Sequence, residues 1–348
     1  MRLALAFRID RAMPRRFTMP KSLLKTLARQ CRRYTGERYQ KALTRLAADP
    51  GAPPIPIASP AQAQLEAEVL AGLGQGWVTD SHGAPPTETP FALTSVTPLP
   101  DALEVTVQDI ALPDVITALL PTTDEQSNTS GIAGLRFRLQ PSGVELTRLD
   151  LPGVVRITGV TPAQWWQAYA VAEADTDVPI LSGHHPDRMH PAEEAHARAY
   201  CPGYSPRHDE PRDQALAALT SAFLRRHMIF RTPEVTSIDL WSNPDSLEVE
   251  WFGPLTHTQA VTDLCDPVFG LGGTPSKDCE CERHSWCFVI PVITDPVFGT
   301  CVALRHNRHH DTDDELADNL RDDWRRKHRS ERLSQMERWH GARPRTQR

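Results

Sequence analysis

An eight-residue pattern that occurs twice restricts what this chain can fold into more than any other feature. Pro100-Asp101-Ala102-Leu103-Glu104-Val105-Thr106-Val107 returns as Pro244-Asp245-Ser246-Leu247-Glu248-Val249-Glu250-Trp251, and a Thr-Ser pair (Thr94-Ser95, then Thr236-Ser237) precedes each copy. Pro-Asp makes a turn, after which apolar and polar residues alternate. Leu103, Val105 and Val107 fall on one face, as do Leu247, Val249 and Trp251. A period of two is the mark of a half-buried strand. The chain therefore reads as one α+β unit used twice.

At 348 residues there is room for two ordinary domains, and 31 prolines imply many turns and linkers between them. The expected division is a basic helix pair (1–49), a proline-rich linker (50–62), a first α+β repeat unit (63–173), a His/Pro-rich connector (174–212), a second unit (213–308) and a charged C-terminal helix with its tail (309–348). Each unit should run helix, hairpin, helix, hairpin. In the first these are 63–73, the strands near 93–96 and 103–107, 113–120, and the hairpin across Gln140-Pro141-Ser142-Gly143. In the second they are 214–226, the strands 235–240 and 247–251, 258–264, and the hairpin 288–293 with 301–304. Thr161-Pro162-Ala163-Gln164 reads as a capping box opening a helix whose Trp165, Trp166 and Tyr169 are expected to pack inside. Thr312-Asp313-Asp314-Glu315 opens the last helix in the same way. A pseudo-twofold axis is expected to relate the two units.

Charge is unevenly spread. Residues 1–45 carry +11 and residues 325–348 carry +7, so a net charge of −6 leaves −24 for the residues between. Basic ends on an acidic body point to contact with something anionic, or with the body itself. No apolar run approaches the length of a membrane span, and the N-terminal stretch lacks a cleavage site for a secretory signal. Seven cysteines, an odd number over a long chain, do not form a disulfide framework, so a cytoplasmic protein with reduced thiols is expected. Scarce lysine beside abundant arginine, alanine and proline matches the codon bias of a high-GC bacterial genome. Met13 and Met19 are alternative starts to Met1.

Residues 20–48 hold the clearest helical pattern. Leu23, Leu24, Leu27 and Cys31 share one face, Thr35-Gly36 breaks the helix, and Tyr39, Ala42, Leu43 and Leu46 mark the inner face of a second. A short extended stretch, Arg15-Arg16-Phe17-Thr18-Met19, leads through Pro20 into the pair. Over residues 15–48 this order of strand, proline, helix, glycine turn and helix resembles the ribbon-helix-helix DNA-binding fold of bacterial repressors and antitoxins. The resemblance implies strands from two chains paired in the major groove, Arg16 and Thr18 reading bases, and DNA phosphates near Gly36 and Arg38. The other reading is an αα-hairpin packed on the rest of the chain.

The densest cluster with metal-ligand chemistry is Cys279, Cys281, His284 and Cys287, with Cys265 as a substitute. Thiolates and imidazole suit a tetrahedral zinc, here a structural staple; alternatively Cys287 begins a buried strand. The connector histidines (His184, His185, His190, His196, His208) are irregularly spaced and read first as solvated. Asp311, Asp313, Asp314, Glu315, Asp318, Asp322 and Asp323 suit an exposed helix start better than a magnesium comb. Phosphate-loop, nucleophile-elbow and H-E-x-x-H templates all fail, and Cys31 sits on an apolar face. Three function classes follow. The first is a non-enzymatic interaction or scaffold protein that binds a protein partner, a small ligand or itself. The second is a DNA-binding regulator that uses the basic N-terminal segment. The third is an enzyme with a site between the two units.

Overall fold

A computed structural model gives the fold and describes residues 20–76, 89–124, 129–176, 178–200, 211–231, 238–242, 246–251, 255–275, 289–295 and 300–306. Two helices come first, α1 (Lys21–Thr35) and α2 (Tyr39–Ala48). Ala28, Cys31 and Tyr34 of α1 and Ala42 and Leu46 of α2 are buried in the core that the rest of the chain also builds. The pair is thus an αα-hairpin packed on the body. Its corner is Gly36, at φ 70° and ψ −4°, with its N–H donating to the Arg32 carbonyl. A side chain there would be strained and would also press into the Thr94 carbonyl, 2.6 Å from an added Cβ. Beside the corner, buried Glu37 is clamped by Arg45, whose Nη2 lies 2.9 Å from Oε2 and whose Nε lies 3.3 Å from Oε1.

The proline-rich stretch is not a free spacer. Ile55 is buried, and the Pro54 carbonyl accepts from Arg45 Nη1 at 2.8 Å. Helix α3 (Pro60–Gly76) starts at a proline, whose missing N–H is no loss in a first turn. Then follow β1 (Leu93–Leu99), β2 (Ala102–Val107), α4 (Leu112–Leu119), the two-residue strands β3 (Thr122–Thr123) and β4 (Thr129–Ser130), β5 (Leu135–Gln140), β6 (Gly143–Arg148) and β7 (Leu151–Thr158). The first sheet has the order β1-β2-β7-β6-β5, antiparallel except where β2 runs parallel to β7. Leu103, Val105 and Val107 are buried while Glu104 and Thr106 are not, as a period of two requires. Strand β7 lies outside the expected four-part unit. Its Pro152-Gly153 resembles a turn, yet Val155 and Ile157 beyond it are buried beside Leu103 and Val105.

Helix α5 (Pro162–Thr176) opens with the capping box. The Gln164 N–H donates to Thr161 Oγ1 at 3.3 Å, and the Thr161 N–H donates to Gln164 Oε1 at 2.9 Å. Trp165 and Tyr169 are buried against Phe137, whereas Trp166 on the same helix is exposed. Two short helices, α6 (Leu181–His184) and α7 (Pro191–Tyr200), then fold back over β5. Arg136 fixes them: it pairs with buried Glu193 through Nη1 and Nη2, at 3.0 and 2.9 Å, and donates to the His185 and Arg188 carbonyls.

Helix α8 (Pro211–Leu224) and a 3-10 turn (His227–Phe230) lead into β8 (Ile238–Ser242), β9 (Ser246–Trp251), α9 (His257–Leu264), β10 (Thr274–Pro275), β11 (Val289–Asp295) and β12 (Thr300–His306). The second sheet has the order β8-β9-β12-β11-β10, antiparallel except where β9 runs parallel to β12. Leu247, Val249 and Trp251 are buried. Leu247 pairs with Val302 and Val249 with Leu304, as Leu103 pairs with Val155 and Val105 with Ile157. The chain is α+β, and no helix among the described residues is long and apolar enough to cross a membrane.

Helices α3 and α8 pack on each other around a buried ion pair. Arg225, just past α8, meets Glu66 of α3 with Nε at 2.8 Å and Nη2 at 2.6 Å, and also donates to the Pro56 and Leu99 carbonyls. Ser221 and Gln62 donate to the same carboxylate, so both of its oxygens are satisfied. Charges this deep are tolerated only when fully bonded.

Candidate anion-binding groove

The outer face of α1 carries Arg29, Arg32 and Arg33, spaced three and four residues apart and so stacked on one side of the helix. The left-handed turn at Gly36 then brings Arg38 and Tyr39, at the start of α2, beside them. No side chain caps α2, so its first backbone N–H groups add positive potential at this end. The opposite wall consists of Met228 and Ile229 of the 3-10 turn and Arg231 just past it, with Leu255 before α9 and Gln259 and Asp263 within it. Between the walls runs a groove of about 750 Å3.

Among the described residues five arginines face this space and one carboxylate does. Asp263 is already engaged: Arg33 Nη2 sits 2.5 Å from Oδ2, and the side chain is nearly buried. Burial raises the Asp263 carboxyl above the usual range despite that contact. Arg29, Arg32, Arg38 and Arg231 are exposed and make no ion pair with any described residue. Behind the α1 wall, Tyr34 donates to the Asp263 carbonyl at 3.1 Å and stacks on Phe269, ring centroids 5.6 Å apart. Burial, then the Asp263 charge, pushes the Tyr34 hydroxyl up to about 12. Buried Arg226 donates to the Phe269 carbonyl at 2.6 Å and to the Ala222 carbonyl at 2.8 Å, with no carboxylate partner among the described residues. Burial lowers its guanidinium to about 10, so at neutral pH it stays a full cation behind the groove.

Guanidinium forks suit the planar, multidentate oxygens of phosphate and carboxylate groups. Among the described residues the lining contains no cysteine, histidine, serine or lysine, and its one carboxylate is held by Arg33. The arrangement is suited to holding an anion.

Of the residues singled out from the sequence, Arg38 and Gly36 lie on this groove. Arg16 and Thr18 lie outside the described residues, as do Cys279, Cys281, His284, Cys287 and residues 309–348, where a charged helix is expected. Cys265 is half-buried and its thiol is raised by burial. Among the described residues no three His, Cys, Asp or Glu side chains gather as metal ligands. Cys31 belongs to the core, and burial pushes its thiol up to about 11. Arg29, Arg32, Arg33, Tyr39 and Arg231 were not among the candidates. The spacing of the first three along one helix face was a readable signal; nothing local marks Arg231. No family model, no curated protein and no solved structure matches this chain.

Proposed function

We propose that this is a non-enzymatic binding protein, a duplicated α+β body that carries a polyanion site at its helix corner, with the phosphate backbone of DNA as the ligand. The observation that carries the reading is the convergence of Arg29, Arg32, Arg38 and Arg231, exposed and without ion-pair partners among the described residues, on one groove. A +11 charge over residues 1–45 favours the same ligand. Equal strand order, equal strand sense and equivalent parallel-pair register in the two sheets support two copies of one unit. The packing of α3 on α8, each the first helix of its unit, supports a pseudo-twofold relation between them.

The test is fluorescence anisotropy of a labelled DNA duplex titrated with the full chain. An R29Q/R32Q/R38Q variant should bind at least about tenfold more weakly at fixed salt. An R138Q/R198Q control, which removes exposed arginines away from the groove, should change affinity less than about twofold. Equal losses in the two variants would remove the reading.

A further inference from the structure

The groove needs a partner of opposite charge, and the chain itself supplies a candidate next to it. Strand β12 ends at His306, paired with Trp251 of β9. Trp251 Nε1 donates to the Leu255 carbonyl at 2.9 Å, and Leu255 lines the groove. His257, the first residue of α9, makes a 3.2 Å hydrogen bond from Nε2 to the Leu304 carbonyl. The end of β12 is therefore tied to the same α9 wall that carries Gln259 and Asp263. Asp311 follows His306 by only five residues, a reach of about 17 Å when extended. From there to Asp323 the chain has seven acids and a single arginine.

We infer that the acidic segment 311–323 of the same molecule docks in the arginine groove, so that the surface is self-covered and an external polyanion must displace it. The inference rests on the reading of the groove as an anion site. Two features favour this occupant. Charge is complementary: five arginines and one ion-paired aspartate line the groove, and the thirteen residues 311–323 carry seven acids and one arginine. The tether also matters: a short connection keeps a weak ligand at an effective concentration in the millimolar range, enough to compete with a free ligand. Residues 1–19, with five arginines and one aspartate, have the wrong sign for the role.

Arginine-directed labelling of the full chain with phenylglyoxal, read by peptide mass spectrometry, tests this without any DNA. In low salt, Arg29, Arg32 and Arg38 should react at least about fivefold more slowly than in a D311N/D313N/D314N/E315Q/D318N variant. The difference should vanish in about 0.5 M salt, which screens such contacts within a few ångströms. Equal rates in low salt would overturn the inference, and so would protection that grows with protein concentration, since that places the segment on a second molecule. The same variant should bind labelled DNA about tenfold more tightly than the parent chain. Equal affinities, with both binding, would overturn self-covering and leave the DNA reading standing. Protection without DNA binding by either chain would do the reverse.

Discussion

Glu68 shows how one residue's surroundings set a property of the fold. It stands on α3 with Oε1 against Arg148, while Oε2 is buried with no hydrogen-bond partner among the described residues. Burial, opposed by Arg148, lifts its carboxyl from 4.5 to about 7. Because the folded value lies above the unfolded one, folding takes up a proton. The stability this contributes is complete below pH 4.5 and is lost as the pH rises through 7. E68Q imitates the protonated form. Its urea unfolding free energy should match the parent's near pH 5 and exceed it by on the order of 3 kcal/mol at pH 8. A difference that does not change with pH would show that Glu68 is not the group responsible. At the buried Glu66–Arg225 pair both carboxylate oxygens are satisfied, and the expected behaviour is opposite. Removing the cation in R225M strands the Glu66 charge and should cost about 3–5 kcal/mol, part of which E66Q/R225M should restore. A loss of less than about 1 kcal/mol in R225M would contradict the clamp.

Among the elements, the corner between α1 and α2 decides where the groove lies. G36A adds a Cβ at a positive φ and against the Thr94 carbonyl, so it should lower stability by about 2 kcal/mol or more in chemical unfolding. A near-neutral change would mean that the corner tolerates a side chain. This corner was legible from Thr35-Gly36, as β2 and β9 were from alternating apolar residues, and the α5 start from Thr161 and Gln164. Those signals are local: a left-handed turn, a period of two and a capping box each need only a few neighbouring residues. Strand β7 was hidden by Pro152-Gly153, which breaks the apolar alternation before Val155. The Glu66–Arg225 pair and the approach of Arg231 to Arg38 depend on segments far apart in sequence. Nothing local specifies that Glu66 is an interior charge and not a solvated one. Half of the groove was readable for the same reason: Arg38 and the α1 arginines lie on one short stretch, whereas Arg231 and α9 arrive through tertiary packing.

For the molecule as a whole, a net charge of −6 repels DNA, so the proposed binding has to come from a local concentration of cations. Counterion release then makes the count of phosphate contacts measurable. The decisive quantity is the slope of log affinity for a DNA duplex against log salt. It should be measured on the full chain with its 311–323 acids neutralised, so that only salt competes with DNA for the groove. Replacing Arg29, Arg32 and Arg38 by glutamine should reduce that slope by about 2–3 units. A slope left unchanged by the three substitutions would show that the groove does not hold the phosphates, and would contradict the account.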